Sequence, residues 1–255
     1  MNDDARELRE RKIQERGRAF IALVEPHLPR EFGVGPGADL WPPIATALLS
    51  RMTTTLRYLL ELHLARLEAD GATLARSLYE HAVHFAWLAA EPSPARVEGW
   101  QREDLCQRLA AYNDMAAHGV EMIDDAGVAA LKAKIESMHG ARLKLEQLAI
   151  EADGHWAEKV LKEMGEHTEL MSFRGWYALL YRMSSTMAHP SQIGLHRVTE
   201  DVRRARIRVQ LEEPSPTRQG PYGMTTYVYG VALLVAAGTL GWPDRNEVLA
   251  IGRLE

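Results

Sequence analysis

Two side chains near the end of one apolar stretch have the chemistry to act together on a phosphate group. Arg182 and His189 are seven residues apart, and at about 100° per helical residue they return to within about 20° of one face. Arginine stays charged and donates hydrogen bonds to phosphate oxygens through a planar fork of N–H groups. Histidine gives or takes a proton near neutral pH. Together they suit metal-independent RNA cleavage, in which protons move at the 2′ and 5′ oxygens and a cation offsets phosphoryl charge.

A structural role explains the same pair. Pro190 disfavours helical geometry at His189 and so places it near a helix C-terminus, where the helix dipole favours protonated imidazole. In the structural interpretation Arg182 pairs with a buried carboxylate and His189 caps a turn with Ser191. The sequence leaves both interpretations open.

Arg76 and Glu80 are four residues apart and share one helix face, which His84 continues. We expect a network of Arg76, Glu80 and His189. Glu80 would orient the histidine in a catalytic site, or neutralise an arginine in the core, because buried charges need partners. Glu80, His81 and His84 are not in the order of a zinc protease motif, and His81 falls on the apolar stripe, which favours a packed core histidine. We therefore expect no metal and no cofactor.

A group of arginines follows His189. The four that we assign to nucleic-acid binding are Arg203, Arg204, Arg206 and Arg208. Residues 204–211 alternate with period two, which predicts a strand with arginines on one face. That face would contact RNA or, alternatively, protect an edge strand from pairing.

Two short motifs occur in order, Arg76-Ser-Leu-Tyr-Glu80 in one helix and Ser184…His189-Pro-Ser191 in a later turn. With these motifs the chain resembles an uncharacterised bacterial helical family, a domain of unknown function, over about 45–240. No activity follows from that resemblance.

Arg182 and His189 are separated by six residues and lie late in a domain predicted to be all-helical. This pattern resembles the signature of the HEPN superfamily (higher eukaryotes and prokaryotes nucleotide-binding). Many members are RNases of toxin–antitoxin, CRISPR and abortive-infection systems, with active sites formed where two copies meet. The resemblance implies a homodimer that cleaves RNA, with a protein partner or antitoxin. Arg182 and His189 would be catalytic, and the motif residues Arg76, Glu80, Ser184 and Ser191 would support them.

Composition bounds these possibilities. The chain has 255 residues, 46% hydrophobic and 25% charged, with a net charge of −5, so RNA binding would need a local basic patch. The single cysteine, Cys106, excludes an internal disulfide and a Cys-rich zinc site and fits a cytoplasmic protein.

The charged N-terminus is unlike a signal peptide. The apolar window at 227–242 is shorter than a typical spanning helix, so we expect a buried helix and no membrane contact.

Apolar residues recur at steps of three and four along most of the chain. This periodicity predicts an all-α, multi-helix bundle that allows a short β-strand or hairpin near 203–211. We expect a charged N-terminal helix at 1–24, a linker rich in proline and glycine at 25–42, and the bundle at 43–255. Within the bundle the predicted helices are 43–67, 72–90, 94–116, 125–150, 155–164, 173–188 and 224–240.

Three functions fit this sequence. The first is a HEPN-like metal-independent ribonuclease, and the second is a non-catalytic module that binds RNA, a nucleotide or a protein. The third is a structural or protein-interaction module in which Arg182 and His189 stabilise the core. We rank a nucleic-acid role first.

Overall fold

A computed structural model of the chain describes residues 3–28, 30–33, 38–64, 68–140, 143–164, 172–182, 199–202, 206–209 and 222–253. The helices are α1 (Asp3–Val24), α2 (Trp41–Leu64), α3 (Glu68–Ala90), α4 (Pro94–Ala117), α5 (Asp125–Ser137), α6 (Leu145–Trp156), α7 (Lys162–Met164), α8 (Phe173–Trp176), α9 (Tyr222–Leu240) and α10 (Arg245–Gly252). A 3₁₀ turn, Glu25–His27, follows α1, and π-helical segments at Ala157–Leu161 and Tyr177–Arg182 continue α6 and α8. The predicted all-α bundle is confirmed.

Helix α3 lies at the centre of the bundle and packs against α2, α6 and α9. Its buried residues include Leu78, Tyr79 and Phe85. Helix α9 is buried on all sides between Val228 and Ala236. The last turns of α1 also reach this core, since Phe20 and Val24 are fully buried in the same cluster.

Helix α9 is, within the described part of the chain, the one helix long and apolar enough to cross a membrane by length and composition. In the structure 61% of its most apolar window is buried. Its neighbours there are α2, α3, α1 and α10.

Two predicted helix boundaries are confirmed by caps. The Ser93 side chain accepts a hydrogen bond from the Arg96 N–H at the start of α4, with Pro94 in the first turn. The Ser172 side chain accepts from the Gly175 N–H at the start of α8. Each serine satisfies a backbone donor that has no partner within its own helix.

Other predicted boundaries are wrong. The predicted helix 125–150 is two helices, because Met138 is extended and Gly140 has φ +124, a conformation that favours glycine. Asp70 and Gly71, which lie between the predicted helices 43–67 and 72–90, belong to α3. Helix α10 was not predicted, although Asp244 caps it by accepting from two backbone N–H groups.

A short antiparallel pair of strands accompanies the helices. Strand β1 is Thr199–Val202 and strand β2 is Arg206–Val209, with Thr199 opposite Val209 and Val202 opposite Arg206. Strand β2 falls within the predicted strand 204–211, whose remaining residues lie outside the described ranges.

Candidate functional site

A cleft of about 780 Å³ opens between α3, α4, the start of α6 and the end of the π-helical segment after α8. Its volume lies within the range of small-molecule sites. Its lining combines charged, histidine and aromatic side chains: Leu48, Arg76, Glu80, His81, His84, Trp100, Glu103, Asp104, Gln107, Leu143, Lys144, Leu145 and Tyr181.

One wall of the cleft is built around Arg76. Its Nε lies 3.0 Å from Glu80 Oε1, in a partly buried salt bridge that realises their four-residue spacing. Its Nη2 donates to the Tyr181 hydroxyl at 3.2 Å, and its Cζ lies 4.4 Å from the centroid of the Tyr181 ring. Arg76 therefore joins α3 to a segment 105 residues further along the chain.

A second arginine extends this wall outwards. The Tyr181 ring stacks on Tyr177 with centroids 5.0 Å apart and 13° between the planes. The Cζ of Arg182 lies 5.4 Å from the Tyr177 centroid. We call the series Arg76, Tyr181, Tyr177 and Arg182 the Arg–Tyr row. It begins in the cleft and ends at the exposed side chain of Arg182.

The Arg–Tyr row depends on a π-helical segment. Tyr177–Arg182 is a π-helix, in which hydrogen bonds run from residue i to i+5. Its wider turn brings Arg182 against the ring of Tyr177, five residues earlier. π-Helical turns occur frequently at functional sites.

Helix α6 and the core hold the start of α8 in place. The Asp153 carboxylate accepts from the backbone N–H groups of Phe173 and Arg174 at 2.8 and 2.9 Å. The buried Tyr79 hydroxyl donates to the Phe173 carbonyl at 2.7 Å. Burial and the nearby carboxylate of Asp153 raise the pKa of Tyr79, so this hydroxyl keeps its proton. Both residues thereby fix the start of α8, the helix that the π-helical segment Tyr177–Arg182 continues.

Two histidines of α3 line the cleft. His81 is half-buried there, so its predicted place in the core is wrong. Its Nδ1 lies 2.6 Å from the Ser77 carbonyl oxygen and donates to it. Burial, with a smaller contribution from His81, lowers the pKa of His84 to about 4. His84 is thus neutral near pH 7.

Across the cleft, α4 contributes a buried carboxylate. Glu103 is 8% exposed. Its oxygens accept from the Leu143 N–H at 3.3 Å and from Gln107 Nε2 at 3.4 Å. Glu103 thus fixes the chain that leads into α6.

The carboxylates and histidines of the cleft do not form a metal site. Among the residues that the structure describes, no group of three or more His, Cys, Asp and Glu side chains is arranged to hold a metal ion.

The model of a family of unknown function, DUF5677, matches residues 44–204. The chain belongs to this family. The predicted resemblance to a helical family of unknown function is therefore confirmed, although the match ends at 204 and not near 240. Comparisons with curated proteins and with solved structures found no match.

The DUF5677 match contains the whole described lining of the cleft, from Leu48 to Tyr181. Helices α1, α9 and α10 lie outside the matched range and pack on the helices within it. The cleft therefore belongs to the part of the chain that defines the family.

Only some of the predicted site residues fall in the described ranges. Arg76 and Glu80 lie in the cleft, and Arg182 lies at the outer end of the Arg–Tyr row. Arg206 and Arg208 occupy positions of β2. The others lie outside the described residues: His189, Ser184, Ser191, Arg203 and Arg204.

Sequence reasoning missed the residues that position the site, Tyr79 and Asp153, as well as the tyrosines of the Arg–Tyr row. Tyr177 and Tyr181 carried one available signal, because their four-residue spacing places them on one helix face. Asp153 carried none, since its partners Phe173 and Arg174 are 20 and 21 residues away.

Proposed function

We propose that the protein binds single-stranded RNA at the outer end of the Arg–Tyr row and cleaves it without a metal ion. The observation that carries this proposal is the position of Arg182. Its side chain is exposed, it lies against Tyr177, and among the described residues it has no carboxylate partner. Its charge is therefore available to an anion at the edge of a cleft large enough for a nucleotide.

The contact with Tyr177 favours phosphate binding. A guanidinium that lies against an aromatic ring uses its face for the cation–π contact and keeps its N–H donors in its own plane. Those donors match two phosphate oxygens. Holding the side chain on the ring also reduces the rotamer entropy lost on binding.

Arg182 also has a role in the proposed cleavage step. A base removes the proton of a ribose 2′-hydroxyl, that oxygen attacks the adjacent phosphorus, and the bond to the 5′-oxygen breaks as an acid protonates it. Arg182 offsets the charge that builds on the phosphoryl oxygens. His189, seven residues later in the sequence, is the proposed proton-transfer residue.

The biological setting is proposed from the HEPN resemblance. It supports a homodimer in which two Arg182–His189 pairs face one groove. It also supports a role in defence or in a toxin–antitoxin system, with an antitoxin or other protein as partner. The single cysteine supports a location in the cytoplasm.

Binding is tested with a fluorescently labelled, unstructured RNA whose 2′-hydroxyls are methylated to prevent cleavage. We expect Arg182→Ala to weaken binding about tenfold and to reduce the salt dependence by about one phosphate contact. Arg174→Ala is the matched control, because Arg174 is also exposed and lies on α8, outside the cleft. Equal affinity for the parent and both variants would contradict the proposed binding surface.

A further inference from the structure

The cleft contains a buried polar atom without a partner. His84 lines the cleft, and its Nδ1 is buried with no hydrogen-bond partner among the described residues. A buried polar group in this state costs about 1–3 kcal/mol. A ligand that supplied the missing hydrogen bond would remove that cost. The His84 ring is neutral near pH 7, so its Nδ1 donates or accepts according to the tautomer.

The lining of the cleft is rich in acceptors. Glu103 is buried and receives two long hydrogen bonds, from Leu143 and Gln107. An ionised carboxylate offers about four lone-pair sites, so Glu103 can accept further donors. Glu80 places a second carboxylate in the cleft. A ligand that fits this part of the cleft must carry hydrogen-bond donors.

The rim of the cleft at the start of α6 suits an anion. Helix α6 begins at Leu145, and its N-cap residue, Lys144, forms no side-chain cap hydrogen bond. Helix N-termini present unpaired N–H groups and a partial positive charge, which favour phosphate. The exposed Lys144 adds a full positive charge at this rim. Trp100, half-buried in the wall, provides an aromatic surface for a planar group.

We infer that the cleft holds one nucleotide whose base carries an exocyclic amino group. The base lies towards His84 and Glu103, and the phosphate lies towards Lys144 and the start of α6. Cytosine presents an amino donor where uracil presents a carbonyl oxygen, so a carboxylate accepts from the first and repels the second. This inference rests on the proposed RNA binding and adds a base preference to it.

Two mononucleotides test the preference directly. Cytidine and uridine 5′-monophosphate differ only at positions 3 and 4 of the base, so their affinities for the full-length protein isolate that edge. We expect the cytidine nucleotide to bind about tenfold more tightly by isothermal titration calorimetry. Glu103→Gln, which keeps the shape but replaces one acceptor with a donor, should bring the two affinities within about twofold. Glu121→Gln, exposed between α4 and α5, is the matched control and should leave the tenfold ratio unchanged.

A second variant covers the case in which Glu103→Gln fails to fold by circular dichroism. His84→Phe keeps an aromatic ring but removes both nitrogens, and it should weaken cytidine nucleotide binding about tenfold. Equal affinities of the parent for the two nucleotides, or no binding of either, would overturn the base preference. An unchanged tenfold preference in the folded Glu103→Gln variant would also overturn it.

RNA cleavage by the same preparations separates this inference from the proposed function. Cleavage without a nucleotide preference removes the base site and leaves the ribonuclease proposal. A cytidine preference lost in Glu103→Gln, without any cleavage, supports the base site and removes the ribonuclease proposal.

Discussion

Arg76 and Tyr181 contact each other in two ways, through a 3.2 Å hydrogen bond from the guanidinium to the hydroxyl and through a guanidinium carbon 4.4 Å from the ring centroid. The pair joins the central helix α3 to the π-helical segment that carries Arg182. The contact therefore couples the stability of the bundle to the geometry of the Arg–Tyr row.

Removing the Tyr181 hydroxyl separates these two contacts. We expect Tyr181→Phe to lower the free energy of unfolding by about 1 kcal/mol, because a partly buried hydrogen bond to a charged donor is lost while the ring remains. Urea denaturation measures the change. Tyr58→Phe, at a tyrosine that is 54% exposed, should change stability by less than about 0.5 kcal/mol. A Tyr181→Phe variant as stable as the parent would show that the hydrogen bond contributes nothing.

Asp153 should affect both stability and RNA binding. Asp153→Ala removes two hydrogen bonds to the start of α8, and we expect a loss of about 1–2 kcal/mol of stability. It should also weaken RNA binding several-fold, because α8 leads directly into the π-helical segment that carries Tyr177, Tyr181 and Arg182. Asp124→Ala is the control, because it removes the cap of α5, which is far along the chain from the Arg–Tyr row. It should lower the free energy of unfolding by about 1 kcal/mol and leave the RNA affinity unchanged. Equal RNA affinities of the two variants would contradict the positioning role of Asp153.

Gly71 should not tolerate a methyl group. A Cβ at this position would contact the Tyr222 hydroxyl and lie 2.9 Å from Tyr222 Cζ. We expect Gly71→Ala to destabilise the protein by about 1–3 kcal/mol, although alanine is intrinsically the better helix former. Gly154→Ala is the control on α6, where a Cβ would meet nothing within 4 Å. It should stabilise by about 0.5–1 kcal/mol. Thermal melts of both variants should therefore shift in opposite directions.

His84 should make the fold sensitive to acid. Burial lowers its pKa to about 4 in the folded protein, against about 6.5 in an unfolded chain. Between these values the unfolded chain binds the additional proton, so stability is lost as the pH falls. The loss attributable to this group is about 2 kcal/mol between pH 7 and pH 5.

Two histidine variants measure this contribution by denaturation at both pH values. His84→Phe should lose about 2 kcal/mol less than the parent on acidification. His118→Gln, at an exposed histidine at the end of α4, should follow the parent. If His84→Phe also followed the parent, His84 would not be buried in its neutral form.

Local sequence patterns predicted the bundle and several helix starts, because caps such as Ser93 and Ser172 and apolar steps of three and four act within one or two turns. They could not predict the contact of Tyr79 with Phe173 or of Arg76 with Tyr181, which span 94 and 105 residues. The π-helical geometry of Tyr177–Arg182 was also not predicted, because the sequence pattern of these residues is that of an ordinary α-helix. The sequence therefore identified Arg76, Glu80 and Arg182 as candidates but not the tyrosines that connect them.

The most direct test of the proposed function is cleavage of a mixed RNA pool in EDTA by the parent protein, Arg182→Ala and His189→Ala. The account predicts cleavage by the parent and its loss in both variants, with helicity and melting temperature unchanged. Parent protein that leaves the pool intact would contradict it. So would variants that lose helicity or melt early, because the two residues would then serve the core and not the reaction.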